Sequence, residues 1–410
     1  MQINRWLYAI AGVIVMLVAG LIYAWSVFRT PIAAEFGWTA SQLSLNFSLC
    51  MAMFCLGGLF AGILSKKIPY RIIVLAAAVL ILVGFLLTSR IQSLGLLYFG
   101  YGFLSGLAIG LVYNAVLSTI LKWFPDKPGL ISGILLMGFG FSAMLVAPIF
   151  TRMSQGMGWR DTFVVLGIVA AVVFVLASFF MKAPGPDYKF PEPKKKKAAA
   201  AIEEADVPPA KMIMKVVFWC FFIWGILLCS CGLAVNSQAY PLAEGVFLGS
   251  SMADSMTATA MAGMLSVIVS LFSVFNGVGR VMFGAIFDRK GGTVTMFAVT
   301  ICFIAAGVIM AAALATGSFG LVTFGLIFMG LSYGGLPTMS SAFTRKTFGS
   351  KNYPVNLPIV NLNLLIASFI GPTVAARMFD TAGSYLGPML CVIAFAIVAL
   401  ICAVLLRKRA

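Results

Sequence analysis

Apolar stretches of about 20 residues recur along the whole chain, separated by short polar turns. At a rise of about 1.5 Å per residue, each is long enough to cross a hydrocarbon layer about 30 Å thick as a helix. The pattern predicts twelve spans, at 6–28, 45–65, 72–89, 94–117, 130–151 and 162–181 in the first half, and at 216–236, 255–287, 293–315, 319–343, 355–379 and 385–406 in the second. Between the halves the pattern breaks. Residues 183–214 carry Pro184-Gly185-Pro186, Pro191-Glu192-Pro193, Lys194 to Lys197, four alanines and Pro208-Pro209, a proline-broken and charged composition that reads as a loop. The expected organisation is a six-helix bundle over 1–182, a linker over 183–214 and a second six-helix bundle over 215–410.

Composition places the chain in lipid. Hydrophobic residues make up 61% and charged residues 10% of the 410, so the fold class is an all-α polytopic membrane protein. A transmembrane barrel would show alternating segments of about ten residues, and a secretory signal a single short segment with a small-residue cleavage site. Neither occurs. The net charge of +16 is unevenly spread. With a cytoplasmic N-terminus, Arg29, Arg90, Arg152, Arg160 and Arg377 fall outside, Arg280 falls within the membrane, and all the other basic residues face the cytoplasm. Both termini and the linker are therefore expected on the inner side of a plasma (inner) membrane. Positive-inside loops and an anionic leaflet account for the charge, and no nucleic-acid partner is expected.

The chain has no histidine, and its eight cysteines all fall in predicted spans with no Cys-x-x-Cys. Metal sites thereby lose their usual ligands, and no cofactor is expected. Histidine-dependent hydrolysis is excluded as well. The twelve acids lie in loops or at helix ends, which leaves an intramembrane aspartyl enzyme nothing to work with, and no phosphate-binding Gly-x-x-x-x-Gly-Lys-Ser/Thr loop exists for ATP-driven transport. The expectation is a protein that is not an enzyme.

Against this background Arg280 is the informative residue. It lies inside the apolar run from Leu265 to Ile286, about 12 Å along the helix from Asp288, where an inserted charge costs about 2.5–3.5 kcal/mol. A charge kept at that depth points to a substrate, an ion or a buried partner. Asn276 precedes it by one turn on the same face. A planar guanidinium can fork onto a carboxylate, and the Asn amide can donate to a hydroxyl or keto oxygen; the alternatives are a snorkelling arginine and an interhelical amide bond. Tyr113 and Tyr333 lie near mid-span, suited either to a substrate oxygen or to packing. Tyr23 and Trp25 line a cavity or belong to the outer aromatic belt, while Asn114, Asn361 and Asn363 read first as interhelical hydrogen-bonding residues, with Asn114 and Asn361 also candidates to line the cavity. Gly100, Gly102, Gly106 and Gly110 read as a close-packing face.

One motif repeats between the halves. Gly62-Ile-Leu-Ser-Lys-Lys-Ile-Pro-Tyr-Arg71 follows the second span, and Gly284-Ala-Ile-Phe-Asp288-Arg289-Lys-Gly291-Gly292 follows the eighth. The second copy resembles the Gly-x-x-x-Asp-Arg-x-Gly loop signature of the major facilitator superfamily, which implies two pseudo-symmetric six-helix bundles and a conformational lock at Gly284, Asp288 and Arg289. In the first copy lysine stands where that family usually has aspartate. Lys122-Trp-Phe-Pro-Asp126-Lys-Pro-Gly-Leu-Ile-Ser-Gly133 resembles the loop between the fourth and fifth helices of monocarboxylate transporters and oxalate:formate antiporters. Phe275-Asn-Gly-Val-Gly-Arg280 resembles the eighth helix of the same group, whose arginine binds the substrate carboxylate, and Leu111-Val-Tyr113 and Ser332-Tyr-Gly-Gly335 resemble its cavity tyrosines. The resemblance implies a rocker-switch secondary transporter, functional as a monomer, for small monocarboxylates such as L-lactate or pyruvate with a co-transported proton.

Two departures qualify what carries over. The oxalate antiporters pair the eighth-helix arginine with a lysine in the eleventh, but the run from Asn352 to Asn363 holds no cation, so a monocarboxylate fits better than a dicarboxylate. Animal monocarboxylate transporters place aspartate where this chain has Asn276, and a lysine in the first helix where it has none, so their proton relay does not transfer. The proton is then expected to ride on the substrate, with Glu35 and Asp380 near the outer mouth as the acids that would contradict this. An anion antiporter, a non-transporting receptor and a channel are the competing readings.

Overall fold

The computed structural model describes residues 4–185, 188, 206–249 and 257–407. Among them are twelve helices long and apolar enough to span a membrane. They are α1 (Arg5–Phe36), α2 (Ala40–Leu64), α3 (Tyr70–Ser89), α4 (Leu94–Trp123), α5 (Pro128–Met157), α6 (Trp159–Ser178), α7 (Val216–Leu248), α8 (Ala258–Lys290), α9 (Gly292–Thr316), α10 (Phe319–Phe348), α11 (Tyr353–Ala382) and α12 (Leu386–Arg407). Part of the expected linker is helical, as one short turn over Pro209–Ile213. The helix ends follow local chemistry. Thr39 and Gln42 form a reciprocal capping box that starts α2, and glycines with φ of 64° and 86° at Gly37 and Gly291 close α1 and α8 where a side chain would be strained. Gly291 is the last residue of the Asp-Arg-x-Gly motif, so one role of that motif is to end the helix.

Contacts divide the chain into two compact units, one of Met1–Met212 with Phe343–Ile359, the other of Ile213–Ala342 with Val360–Ala410. Two helices, α10 and α11, are thus continuous across the division: the end of the first and the start of the second pack with the first unit.

Within the first unit α3 packs on α6, α2 on α4 and α1 on α5; within the second, α9 and α7 pack on α12. Lipid supplies no hydrophobic drive for such pairing, so close backbone approach must supply dispersion contacts instead. The glycine face does this. A Cβ on Gly106 or Gly110 would collide with the backbone of Cys50 or Phe54 on α2, and one on Gly57 with the carbonyl of Leu107. Large apolar side chains such as Ile10, Val79, Val172, Ile301 and Ile401 stay exposed, as a lipid-facing surface requires. Over Tyr98–Ser105 the fourth helix widens into a π turn, where Gly100 and Gly102 lie against Gly84 of α3 and Asn46 of α2.

Ion pairs join helix ends in the first unit. Arg5 grips Asp126 with both guanidinium nitrogens, at 2.5 and 3.0 Å, while its plane lies 4.6 Å from the Phe124 ring and Trp123 stacks on Tyr8 at 4.2 Å. This explains the Trp-Phe-Pro-Asp run physically: it fastens the α4–α5 turn to the start of α1. At the opposite ends Glu35 accepts from Arg160 at 2.6 Å and from the Trp159 indole at 2.8 Å, and Arg160 also donates to the carbonyls of Ser89 and Ile91.

Asp126→Asn keeps the shape but loses a charge-assisted fork that is largely shielded from water. We expect it to destabilise the purified protein by about 1–3 kcal/mol. Thermal melts of Asp126→Asn, Arg5→Gln and the double variant check this, and additive losses would remove the fork from the account.

Candidate functional site

The residues singled out in the eighth span are brought together. Arg280 is 2% exposed, and its Nε donates to Asn276 Oδ1 at 3.1 Å, one turn earlier on α8. That bond fixes the plane of the guanidinium, and with it the direction in which its Nη edge presents. Because Asn276 gives its oxygen to Arg280, its NH₂ is the part left to donate toward a ligand. The two groups form a donor cluster of one charge, suited to one anionic group.

What sets this pair in place is a glycine seam with α10. A Cβ on Gly334 would run into the backbone oxygen of Asn276 and stand 3.1 Å from the backbone nitrogen of Arg280. Gly330, one turn earlier, lies equally close to the carbonyl of Phe272, and Gly279 of α8 to that of Leu331. Three glycines therefore hold α8 and α10 backbone to backbone at the level of Arg280. Tyr333 belongs to the same seam. Its ring lies over Gly232 of α7, stacks on Phe272 at 6.1 Å, and is 7% exposed. Pro337, one turn further on α10, has no N–H to offer the Tyr333 carbonyl.

Other sequence candidates fall elsewhere. Tyr113, in the first unit, joins Phe54, Phe139 and Tyr23 in an aromatic cluster: Tyr113 lies 5.0 Å from Phe54 and 5.5 Å from Phe139, and Tyr23 lies 5.3 Å from Phe139. Trp25 is 4% exposed and donates to the Leu43 carbonyl at 3.0 Å, inside the helix packing of the first unit and not in an outer belt. Asn114 is fully buried, with its NH₂ shared between the carbonyls of Gly58 and Pro354 and its oxygen accepting from Ser118, so it serves as interhelical glue. Asn363 packs its amide against Gly225 of α7; Asn361 is half-buried in the second unit. At the end of α8 Gly284 is buried, with Asp288 and Arg289 exposed.

Three features were not singled out from the sequence. Arg345 is 8% exposed near the end of α10, beyond the predicted span and so read as a loop residue. Arg5 and the Glu35–Arg160 pair join positions far apart in the chain, which a single sequence does not reveal. Among the described residues, the buried polar and charged set includes Arg280 and Arg345 but no aspartate or glutamate. Glu35 is engaged with Arg160 and Trp159, and the side chain of Asp380 lies outside the described residues.

The profile of the Major Facilitator Superfamily matches residues 8–372. Among curated proteins, the chain is 27% identical over 289 residues to an uncharacterised MFS-type transporter, YhjX, of Escherichia coli, covering 70% of this chain and 67% of that one. It is 24% identical over 294 residues to the oxalate:formate antiporter of Oxalobacter formigenes, covering 72% of this chain and 66% of that one. Monocarboxylate transporter 2 of Homo sapiens matches at 27% over 194 residues, covering 47% of this chain and 40% of that one. The aligned parts thus span about two thirds or less of these relatives. Among solved structures, the MFS transporter FucP in its outward conformation superposes with a TM-score of 0.65 at 15% identity over 98% of this chain and 99% of that one. The proton:xylose symporter XylE superposes at 0.73 and 13%, over 99% and 96%. At these identities the two structures establish the fold.

The seam makes a prediction. Gly334→Val forces α8 and α10 apart and is expected to cost about 1–3 kcal/mol or more. Gly320→Val on the same helix meets open space and is expected to melt as the parent does. Equal melting temperatures for the two variants would remove the seam as the support of Arg280.

Proposed function

Because the chain belongs to the major facilitator superfamily, we propose that this multi-pass membrane transporter is a secondary carrier of small monocarboxylates such as L-lactate or pyruvate. The observation that carries the reading is the buried Arg280, oriented by Asn276 at 3.1 Å on a glycine-packed helix seam. A guanidinium held in one plane presents parallel donors at carboxylate spacing, and the Asn276 NH₂ one turn away suits the hydroxyl or keto oxygen of a 2-substituted acid. Tyr333, whose ring packs on Phe272 in the same seam, is the aromatic candidate of the second unit, and Tyr113 is a candidate within the first. Both termini and the linker face the cytoplasm of a plasma (inner) membrane, and the carrier exposes its site alternately to the two sides as a monomer.

The proton travels on the substrate. No acid is buried among the described residues, and a guanidinium side chain is chemically suited to bind an anion rather than to relay a proton. A carboxylate taken from water into a closing low-dielectric site is driven toward its acid form by desolvation, and Arg280 opposes that drive. A small net preference is enough to make uptake follow the proton gradient.

A second reading, exchange of dicarboxylate and formate, has a specific observation in its favour: the likeness to the oxalate:formate antiporter. Against it stands the start of α11, where residues 352–363 offer asparagines and no cation for a second carboxylate.

Proteoliposome counterflow of labelled L-lactate tests the reading, since only a carrier accelerates uptake when loaded from the opposite side. Arg280→Lys, which keeps charge but loses the fork, and Arg280→Gln are both expected to abolish counterflow in normally folded protein. Asn276→Leu removes the oxygen that orients the Arg280 guanidinium and the NH₂ offered to the substrate, and is expected to weaken lactate binding about tenfold or more. Near-parental counterflow by Arg280→Gln would remove the site. Oxalate is expected to compete about tenfold worse than lactate, because its second carboxylate is desolvated without a partner; equal competition would favour the antiporter. Uptake is expected to rise as external pH falls and to collapse with a protonophore. An acid-to-amide substitution that abolished this pH drive while sparing counterflow would put the proton on the protein instead.

A further inference from the structure

The turn between α10 and α11 is held in the first unit by two sets of contacts that the Arg280 site does not use. One begins with proline chemistry. Pro358 follows Pro354 by four residues on α11, so the donor that would normally close the helix onto the Pro354 carbonyl is absent. That carbonyl instead accepts from Asn114 Nδ2 of α4 at 2.6 Å. The same amide donates to the Gly58 carbonyl of α2 at 2.5 Å, and Ser118 Oγ donates to Asn114 Oδ1 at 2.7 Å, so every polar atom of this fully buried side chain is used. Gly62, the first glycine of the first loop motif, admits the Pro354 carbonyl; a Cβ there would collide with it.

The second set comes from the last part of the linker. Val207 is held by both backbone groups: its N–H donates to the Phe348 carbonyl at the end of α10 (3.0 Å), and its carbonyl accepts from Asn356 Nδ2 in the first turn of α11 (2.9 Å). Asp206 accepts from Asn352 Nδ2 at 2.8 Å and pairs with Lys351 Nζ at 3.5 Å. Val207, Met212, Phe348 and Tyr353 are buried around these bonds. The linker's end thus forms a strap over the turn, and the Asn114 amide grips it from the helix side.

We propose that Asn114 and the Asp206–Val207 strap form a latch that holds the ends of α10 and α11 on the first unit, and that each transport cycle opens it. The inference rests on the alternating-access reading, because both helices continue into the second unit and their ends must leave the first when that side opens. The chemistry suits a reversible contact. When the latch opens, the Pro354 carbonyl meets water, which satisfies it; when the latch closes, the Asn114 amide replaces that water. A carbonyl bonded within its own helix would have no such second state.

A cysteine at the buried Val355, reached by a membrane-impermeant maleimide from the linker side, reads the latch without any substrate. The parent is expected to label slowly. Asn114→Ala and Val207→Pro, the latter lacking the N–H that bonds Phe348, are each expected to speed labelling about fivefold or more, as loss of one buried hydrogen bond would. Pro358→Ala restores an N–H to the helix for the Pro354 carbonyl, so Asn114→Ala in that background is expected to add less than about twofold. Unchanged labelling in both single variants overturns the latch, and so does acceleration by Asn114→Ala that is equally large with Pro358→Ala, because it would report general loosening. If lactate counterflow is absent while these labelling differences hold, the substrate assignment fails and the latch stands.

Discussion

In hydrocarbon a polar group has no water to fall back on, and the architecture follows from that. Each backbone donor and acceptor must find a partner within the protein, which leaves helices as the element that spans the layer here. The departures occur where a proline withdraws a donor. At Pro358 the carbonyl four residues earlier is passed to Asn114 of another helix, and at Pro337 the same subtraction falls on Tyr333. Such carbonyls are points where bonding between helices can be exchanged without unwinding either one.

The same scarcity governs the charges. A guanidinium persists at depth only if its donors are used and its plane is held, and the glycines at 279, 330 and 334 make that holding possible by bringing α8 and α10 into backbone contact. Small residues here do the work that apolar burial does in water. They leave no room for adjustment, so the direction in which Arg280 presents its fork is set by the seam as much as by Asn276. The ion pairs at the helix ends have a different character. Arg160 with Glu35 is half wet, Arg5 with Asp126 is largely shielded, and both tie turns to helices at the ends of the first unit.

Whatever repeats within one helix could be read from the chain: twelve apolar lengths and the i, i+4 spacing of Asn276 and Arg280. The packing face of Gly106 and Gly110 was legible for the same reason. What could not be read was which helix lies opposite. Asn114 read as glue with a cavity as the alternative, and its deciding partner, the Pro354 carbonyl, lies 240 residues away. Trp25 suited a cavity or an outer aromatic belt, and the Leu43 carbonyl that accepts from its indole lies on the next helix. Arg345 was missed because hydropathy ends a span where the helix does not: α10 continues to Phe348 and draws the arginine into the first unit.

The acids complete the picture by where they are. Glu35 is committed to Arg160 and Trp159 at the end of α1, Asp126 to Arg5 in the α4–α5 turn, and Asp206 to Lys351 and Asn352 from the linker, each holding one element to another. A carboxylate that fastens structure is poorly placed to gain and lose a proton in every cycle, since protonation would release the element it holds. Among the described residues the buried charges are arginines. On the proposed reading this divides the labour: Arg280 recognises charge, these acids hold one element to another, and the carboxylate that changes protonation as the site closes is the one the substrate brings with it.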